Sequence, residues 1–329
     1  MNRDIYQELR TAGTYAAPEA MIHTVDKTLK RPMSITHVNT GMDVSSTLAA
    51  ADKDYLVLSN DRNLDFNWNT LEIDLGNQSS APQIKLIIDA QMVVPTTSAG
   101  MARKLLLSPT GKLTRLEVLD TNGVWTLVPY TVKEVFSPKE RSSPYVVDIT
   151  NIFTTPVYKV RLSFLYKVYI DALFFDTTVD QPVTVTELPL VSADLHYYGF
   201  SMKTDGEIFD YIYGNMVTRN TSYFAGNYTR YGDVTPILTQ TDDKFVIFAG
   251  GEELTVKFTA DLPPTGNARR YLVYANGYYK ATGNVDISHT VEPLPFAAMS
   301  NYPYNPSVEN YPSDADHNAY RSLYNTRPQ

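Results

Sequence analysis

Between Thr70 and Asp176, apolar residues recur at every second position in short runs closed by turn residues. A period of two admits strands half buried in a sheet and excludes a helical domain over the same stretch. Leu71, Ile73 and Leu75 alternate with polar partners in TLEIDLG, and Gly76 closes that run. Gln83–Ala90 reads as a more deeply buried strand. Arg115–Asp120 and the following VWTLVPY flank Thr121-Asn122-Gly123, where Asn-Gly supplies the positive φ angles of a tight hairpin turn. Tyr145–Thr150, Tyr158–Phe164 and Tyr169–Asp176 continue the series with no long helix between them. Successive short strands of this kind predict antiparallel sheets packed as a sandwich over 56–178.

The flanking regions read differently. Ile5, Tyr6 and Leu9 predict a short helix over Asn2–Arg10, stopped by Gly13, and the weak periodicity up to residue 55 predicts an irregular arm, so that 1–55 forms an N-terminal extension. A Val/Thr/Pro stretch at 178–190 marks a crossing into a second β-sandwich over 179–290. Its expected strands are DLHYYGF, Lys244–Gly250, Glu253–Ala260 and Arg270–Ala281, the last with a hairpin turn at Ala275-Asn276-Gly277. Residues 291–329 form a Pro- and Tyr-rich tail. Leu294, Phe296, Met299, Tyr302 and Tyr304 make it too apolar for a free linker, so it is expected to pack on the β-structure. A short helix is expected over Asp314–Tyr324 with Ser313 as its N-cap. The fold class is therefore mainly β, as two consecutive antiparallel sandwich or jelly-roll-like units with short terminal helices.

Composition narrows the chemistry. The chain has no cysteine among its 329 residues, which removes disulfides, thiolate metal sites and cysteine nucleophiles. A formal charge of -8 without a basic patch argues against nucleic acid as a partner. No apolar run approaches the ~20 residues of a membrane-spanning helix, so membrane insertion is not expected. The opening MNRDIYQELR is polar and does not read as a signal peptide.

Two groups of residues are candidates for a site. Asp61, Asn63 and Asp65 stand at the first, third and fifth positions of a calcium-type loop, and Glu72 stands at the twelfth. Phe66 occupies the position that wants glycine and no helices flank the loop, so an Asx-rich turn bonding its own backbone is the alternative. The cofactor expectation is none, with Ca2+ as the exception this loop would make. The second group draws on a skew in the aromatics: of 24 tyrosines, 16 follow residue 180. Ser201–Asn215 and Ser222–Asp233 combine aromatics with Gly, Asn and Asp between expected strands. Tyr211, Tyr213, Tyr223, Tyr228, Arg230, Tyr231 and Asp233 are the expected binding residues, whether for a protein or for a sugar face. Gly226 and Gly232 would let the backbone approach closely or shape turns.

Other features carry less. His23, His37, His196, His289 and His317 lack metal-pair spacing. No G-x-S-x-G elbow exists, and Gly250-Gly251 is a turn rather than a phosphate loop. Asn77, Asn220 and Asn227 open N-x-[ST] triplets, which matter only in a glycosylating pathway.

Several long blocks resemble a known region in the same order. Val157–Thr178, Leu188–Ser201, Tyr228–Leu238, Asp242–Phe258, Arg270–Lys280, Val291–Tyr304 and Glu309–Pro328 resemble the C-terminal region of bacterial FG-GAP/ASPIC–UnbV proteins, which are similar to cartilage acidic protein. The resemblance covers roughly 157–329 well and 1–156 weakly. It departs from the family in lacking the calcium-binding FG-GAP propeller repeats and in carrying Ala281 where an acidic residue is usual. It implies an extracytoplasmic setting (periplasm, organelle lumen or cell surface) and supplies no catalytic residue. The strand order of 56–178 is also reminiscent of galactose-binding-like jelly rolls, an analogy of fold alone.

The expected function is a non-catalytic interaction or assembly protein, not an enzyme, that helps build an extracytoplasmic multiprotein complex or array through self-association or other proteins. A carbohydrate-binding module and an unrecognised hydrolase are the alternatives.

Overall fold

A computed structural model describes residues 3–59 except 11–18, then 67–93, 112–133, 135, 138, 143–206, 211–218, 223–261, 271–278, 280 and 289–329, with backbone alone for 3–10 and 19–20. The protein is mainly β, built of antiparallel sheets with one short helix near the C-terminus. It divides into two compact units that part between Val183 and Thr184, a short piece at Asp205 falling with the first.

Unit 1 holds β1 (Arg3–Arg10), β2 (Glu19–Asp26), β3 (Ser34–His37), β4 (Met42–Asp43), β5 (Leu56–Leu58), β6 (Asn69–Asp74), β7 (Lys85–Val93), β8 (Thr114–Leu119), β9 (Trp125–Leu127), β10 (Ser143–Asp148), β11 (Lys159–Phe164) and β12 (Lys167–Asp176). A four-stranded sheet runs β10-β7-β12-β5, and a six-stranded sheet runs β4-β3-β6-β11-β8-β9. Both contribute to one core. Ile88 and Ile170 come from the first sheet, and Leu71, Ile73, Leu162 and Phe164 from the second. The alternation in β6 places Leu71 and Ile73 inside and Thr70, Glu72 and Asp74 outward, as a one-sided sheet requires. On the outward face Arg161 pairs with Glu72 at 2.8 Å and stacks 4.2 Å from the Trp125 ring.

β7 and β12 bury both faces, and the back of their sheet has its own small cluster, Val25 against Ile87 and Val146. Val25 belongs to β2, which pairs with β1 along eight residues. The expected helix over Asn2–Arg10 is therefore strand β1. Ile5 and Leu9 are four apart, a spacing that keeps two residues on one face in either period, and the partner strand decides between them. A bulge in β12 between Ile170 and Ala172 gives Asp171 a task. Buried there, it accepts N–H bonds from Asp52 at 3.1 Å and Lys53 at 2.7 Å and so anchors that turn.

Unit 2 holds β13 (Leu190–Tyr197), β14 (Phe200–Lys203), β15 (Tyr211–Val217), β16 (Asn227–Tyr228), β17 (Gly232–Asp233), β18 (Glu252–Phe258), helix α1 (Ala315–Tyr324) and β19 (Arg327–Pro328). Its sheets are β17-β13-β18, the ribbon β14-β15 and the ribbon β16-β19. Its core mixes strand residues such as Leu195 with residues of the tail: Leu294, Phe296, Tyr304, Tyr311, Tyr320 and Tyr324 are all buried. Helix α1 is capped by Asp314 rather than by Ser313: its carboxylate accepts the Asp316 and His317 N–H groups, satisfying two of the helix's free donors.

Two expected strands are absent among the described residues. Lys244–Gly250 is irregular: several of its backbone groups are met by side chains, and the Ile247 carbonyl accepts the Thr229 N–H at 3.0 Å. The Tyr320 hydroxyl donates to the Phe245 carbonyl at 2.7 Å and accepts the Phe245 N–H at 3.0 Å, and Thr229 Oγ1 accepts the Ile247 N–H at 2.7 Å. The described part of Arg270–Ala281, Tyr271–Tyr278, forms neither strand nor hairpin. Asn325 also donates to the Tyr320 hydroxyl, so that oxygen makes three hydrogen bonds in a buried setting. Tyr320→Phe is expected to cost about 1–3 kcal/mol, the usual penalty for stranding buried polar groups, read as a lower urea midpoint for unit 2. An unchanged midpoint would mean that water satisfies the Phe245 backbone.

Candidate functional site

The tyrosine-rich region divides into two places. The first surrounds the C-terminal residues. β19 pairs with β16 so that Arg327 lies opposite Tyr228 and Pro328 opposite Asn227. Beyond them Gly226 and Gln329 exchange backbone bonds at 3.2 and 3.0 Å. Gly226 adopts φ 142°, and a Cβ there would sit 2.9 Å from Val291, so only glycine lets the two segments approach.

The Arg327 guanidinium stacks 4.3 Å from the Tyr231 ring centre and 5.4 Å from that of Tyr228. Its Nη1 pairs with Glu252 Oε1 at 2.6 Å, and its Nε donates to the Thr229 carbonyl at 3.1 Å. Glu252 has no exposed side-chain surface. It also accepts the Tyr231 hydroxyl at 2.8 Å and the Ala249 N–H at 2.7 Å. Burial and the bond to this carboxylate push the Tyr231 phenol up to about 12. Arg230 lies 5.0 Å over the Tyr324 ring, and its N–H donates to the Tyr324 carbonyl at 2.8 Å. Asp233 accepts the Thr235 N–H and hydroxyl, starting the short 3-10 helix Thr235–Ile237, and those bonds hold its carboxyl below the usual range.

Tyr223, Tyr228, Arg230 and Tyr231 thus gather around the chain's own end. Tyr228 is 3% exposed, with its hydroxyl bonded to Phe224 and its ring edge-on to Tyr223. It is a core residue and not a surface anchor. Sequence reasoning missed Glu252, Tyr324 and Arg327, because no local spacing ties residue 252 to residue 327. These contacts hold the 324–329 segment against β16 and Glu252.

The second place is the ribbon β14-β15. Its register jumps from Ser201↔Met216 to Met202↔Ile212, so Tyr213, Gly214 and Asn215 bulge out of the pairing. Gly214 has φ 86°, and its N–H donates to the Tyr198 hydroxyl at 3.2 Å. The bulge presents Tyr213 at 74% exposure, and Tyr211, Met216 and Met202 are exposed on the same ribbon. Lys203 lies 5.1 Å over the Tyr211 ring. Of the expected binding residues, Tyr211 and Tyr213 alone sit here.

Asp61, Asn63 and Asp65 lie outside the described residues. Glu72 lies on β6 with its carboxylate taken by Arg161. Among the described residues no cluster of three or more His, Asp or Glu side chains could hold a metal ion. Three of the histidines are held by neighbours: His196 lies 3.1 Å from Asp194, His317 2.6 Å from Asp314, and His289 packs against Phe224.

A dense polar cluster lies in unit 1. Asp180 accepts from His23 Nδ1 at 2.7 Å, the Thr24 N–H at 2.8 Å and Gln83 Nε2 at 3.0 Å, and it pairs with Lys85 at 3.1 Å. Lys85 is fully buried and also reaches Asp176 at 3.1 Å and the Thr24 carbonyl at 2.5 Å. His23 is 1% exposed, Lys85 0% and Asp180 31%, and together these groups fasten the 176–181 segment to β2 and β7. Comparison with protein-family models, with curated proteins and with solved structures finds no match for this chain.

Proposed function

We propose that this protein is a non-catalytic assembly module that associates with copies of itself or with other proteins through unit 2. The observation that carries the reading is the ribbon β14-β15, which displays Tyr213, Tyr211, Met216 and Met202 to solvent. Exposed tyrosines on a bulged ribbon supply large contact area at low entropic cost, and methionine beside them is likewise enriched at protein interfaces. The acid–base candidates further the reading by being spent on structure: Glu252 fastens the C-terminus, and Asp180 with Lys85 fastens a loop. The resemblance to the ASPIC–UnbV region is the ground for placing the assembly outside the cytoplasm.

The test is the association state of wild type and of Tyr213→Ala/Met216→Ala, followed by light scattering and native mass spectrometry. Truncation of central interface aromatics commonly costs about 2 kcal/mol or more, so the double variant should associate over tenfold more weakly with an unchanged melting curve. A wild-type chain that stays monomeric at high concentration and binds glycans would make the ribbon a sugar surface instead.

A further inference from the structure

We infer that Tyr271–Gly277 of one copy adds as a strand to the free edge of β18 in a second copy. This rests on the assembly reading above and names its contact. β18 is the outermost strand of β17-β13-β18, so one row of its N–H and C=O groups meets no strand among the described residues. Its inner face is also incompletely covered. Leu254 packs into the core, but Val256 and Phe258, on the same face, are 40% and 48% exposed. Tyr271–Gly277 has the complementary defect. It is as long as seven-residue β18, rich in strand-forming residues, and forms no strand. Tyr271, Val273 and Tyr274 are 63%, 76% and 67% exposed.

An antiparallel pairing with the two centres matched, Thr255 opposite Tyr274, brings the apolar sets together. Phe258 then faces Tyr271, Val256 faces Val273, and Leu254 faces Ala275, all on the side where β18 is uncovered. Gly277 falls opposite Glu252, which is already filled by Arg327 and tolerates no bulk. A one-residue slip would put Lys257 opposite Val273 and Leu254 opposite Asn276. Within a single copy the segment does not pair with its own edge, which leaves a second copy as the occupant. Exchanged reciprocally, such a contact closes as a two-fold dimer; taken head-to-tail, it leaves one edge and one segment unused in each pair and forms a ring or an array.

The absence of cysteine makes the test clean. Val256→Cys and Val273→Cys, made in separate full-length chains and mixed under mild oxidation, should yield a disulfide-linked heterodimer in preference to either homodimer. Val273→Pro should weaken association at least tenfold, and Val273→Ile should leave it intact. Association undiminished by Val273→Pro would overturn strand addition while the assembly reading stood, and Tyr213→Ala/Met216→Ala would then locate the contact. If a chain carrying both cysteines closes on itself at high dilution and the mixed single variants do not link, the segment is an internal strand and the inference fails. A wild-type chain monomeric at every concentration defeats both.

Discussion

A chain ending at residue 290 is expected to lose unit 2 as a folded body while unit 1 keeps its own unfolding transition. The tail is a wall of unit 2's core rather than an appendage: Leu294, Phe296, Tyr304, Tyr311, Tyr320 and Tyr324 are each below 9% exposure. Burying each contributes roughly 1.5–3 kcal/mol, so six contribute about 9 kcal/mol at the low end, against a total stability of about 5–15 kcal/mol for a domain. Polar anchors go with them. The Tyr311 hydroxyl donates to the Asp243 carbonyl at 2.5 Å, and Arg327 is the cation that neutralises buried Glu252. The unit 1 core draws on no residue beyond Phe175, so the same deletion leaves it whole. Near-ultraviolet circular dichroism during heating, with limited proteolysis beside it, reads the result. A truncated chain that still resists proteolysis beyond Thr184 would show that the tail covers a core able to stand without it.

How much of this could be read from the chain differs between the units, for physical reasons. In unit 1 the strands are locally specified. The hairpin β8-β9 turns where Asn122-Gly123 stands, Gly123 adopts φ 74°, and Asp120 Oδ1 accepts the Asn122 and Val124 N–H groups. Period two then assigns faces without knowledge of the partner. β1 escaped because a spacing of four serves helix and strand alike. In unit 2 the deciding partners are remote. Lys244–Gly250 has the composition of a strand, yet its backbone is claimed by Thr229 and by Tyr320, which lies 75 positions from Phe245. The tyrosines show the same difficulty. Tyr228 and Tyr213 look alike in the sequence, but pairing with the chain's end buries one at 3% and a bulge at Gly214 lifts the other to 74%. Residue type marks the aromatic region, and only non-local packing sorts its inner members from its outer ones.

The Lys85 cluster gives the second large effect. Lys85→Met preserves length and apolar stem while removing the charge, and it is expected to destabilise unit 1 by about 3–5 kcal/mol, the usual cost of breaking a buried pair from one side. The ammonium's three donors are all used, on Asp176, Asp180 and the Thr24 carbonyl. Asp176 suffers most from its loss, being 3% exposed, with only the Thr178 hydroxyl and N–H left to it among its direct bonds. Lys85→Met/Asp176→Leu should therefore recover most of the loss, since replacing both members of a buried pair is often nearly neutral. Acid provides an independent check. Burial pushes the Asp180 carboxyl up, but bonds from Gln83, His23, Lys85 and the Thr24 N–H outweigh it and hold the group at about 2. A carboxyl lowered in the folded state stabilises above its unfolded value near 3.8, and that contribution disappears as pH falls toward 2. Wild type should thus lose urea resistance between about pH 4 and 2, and Asp180→Asn should flatten that slope. A Lys85→Met penalty below about 1 kcal/mol would mean that water reaches the cluster and screens it.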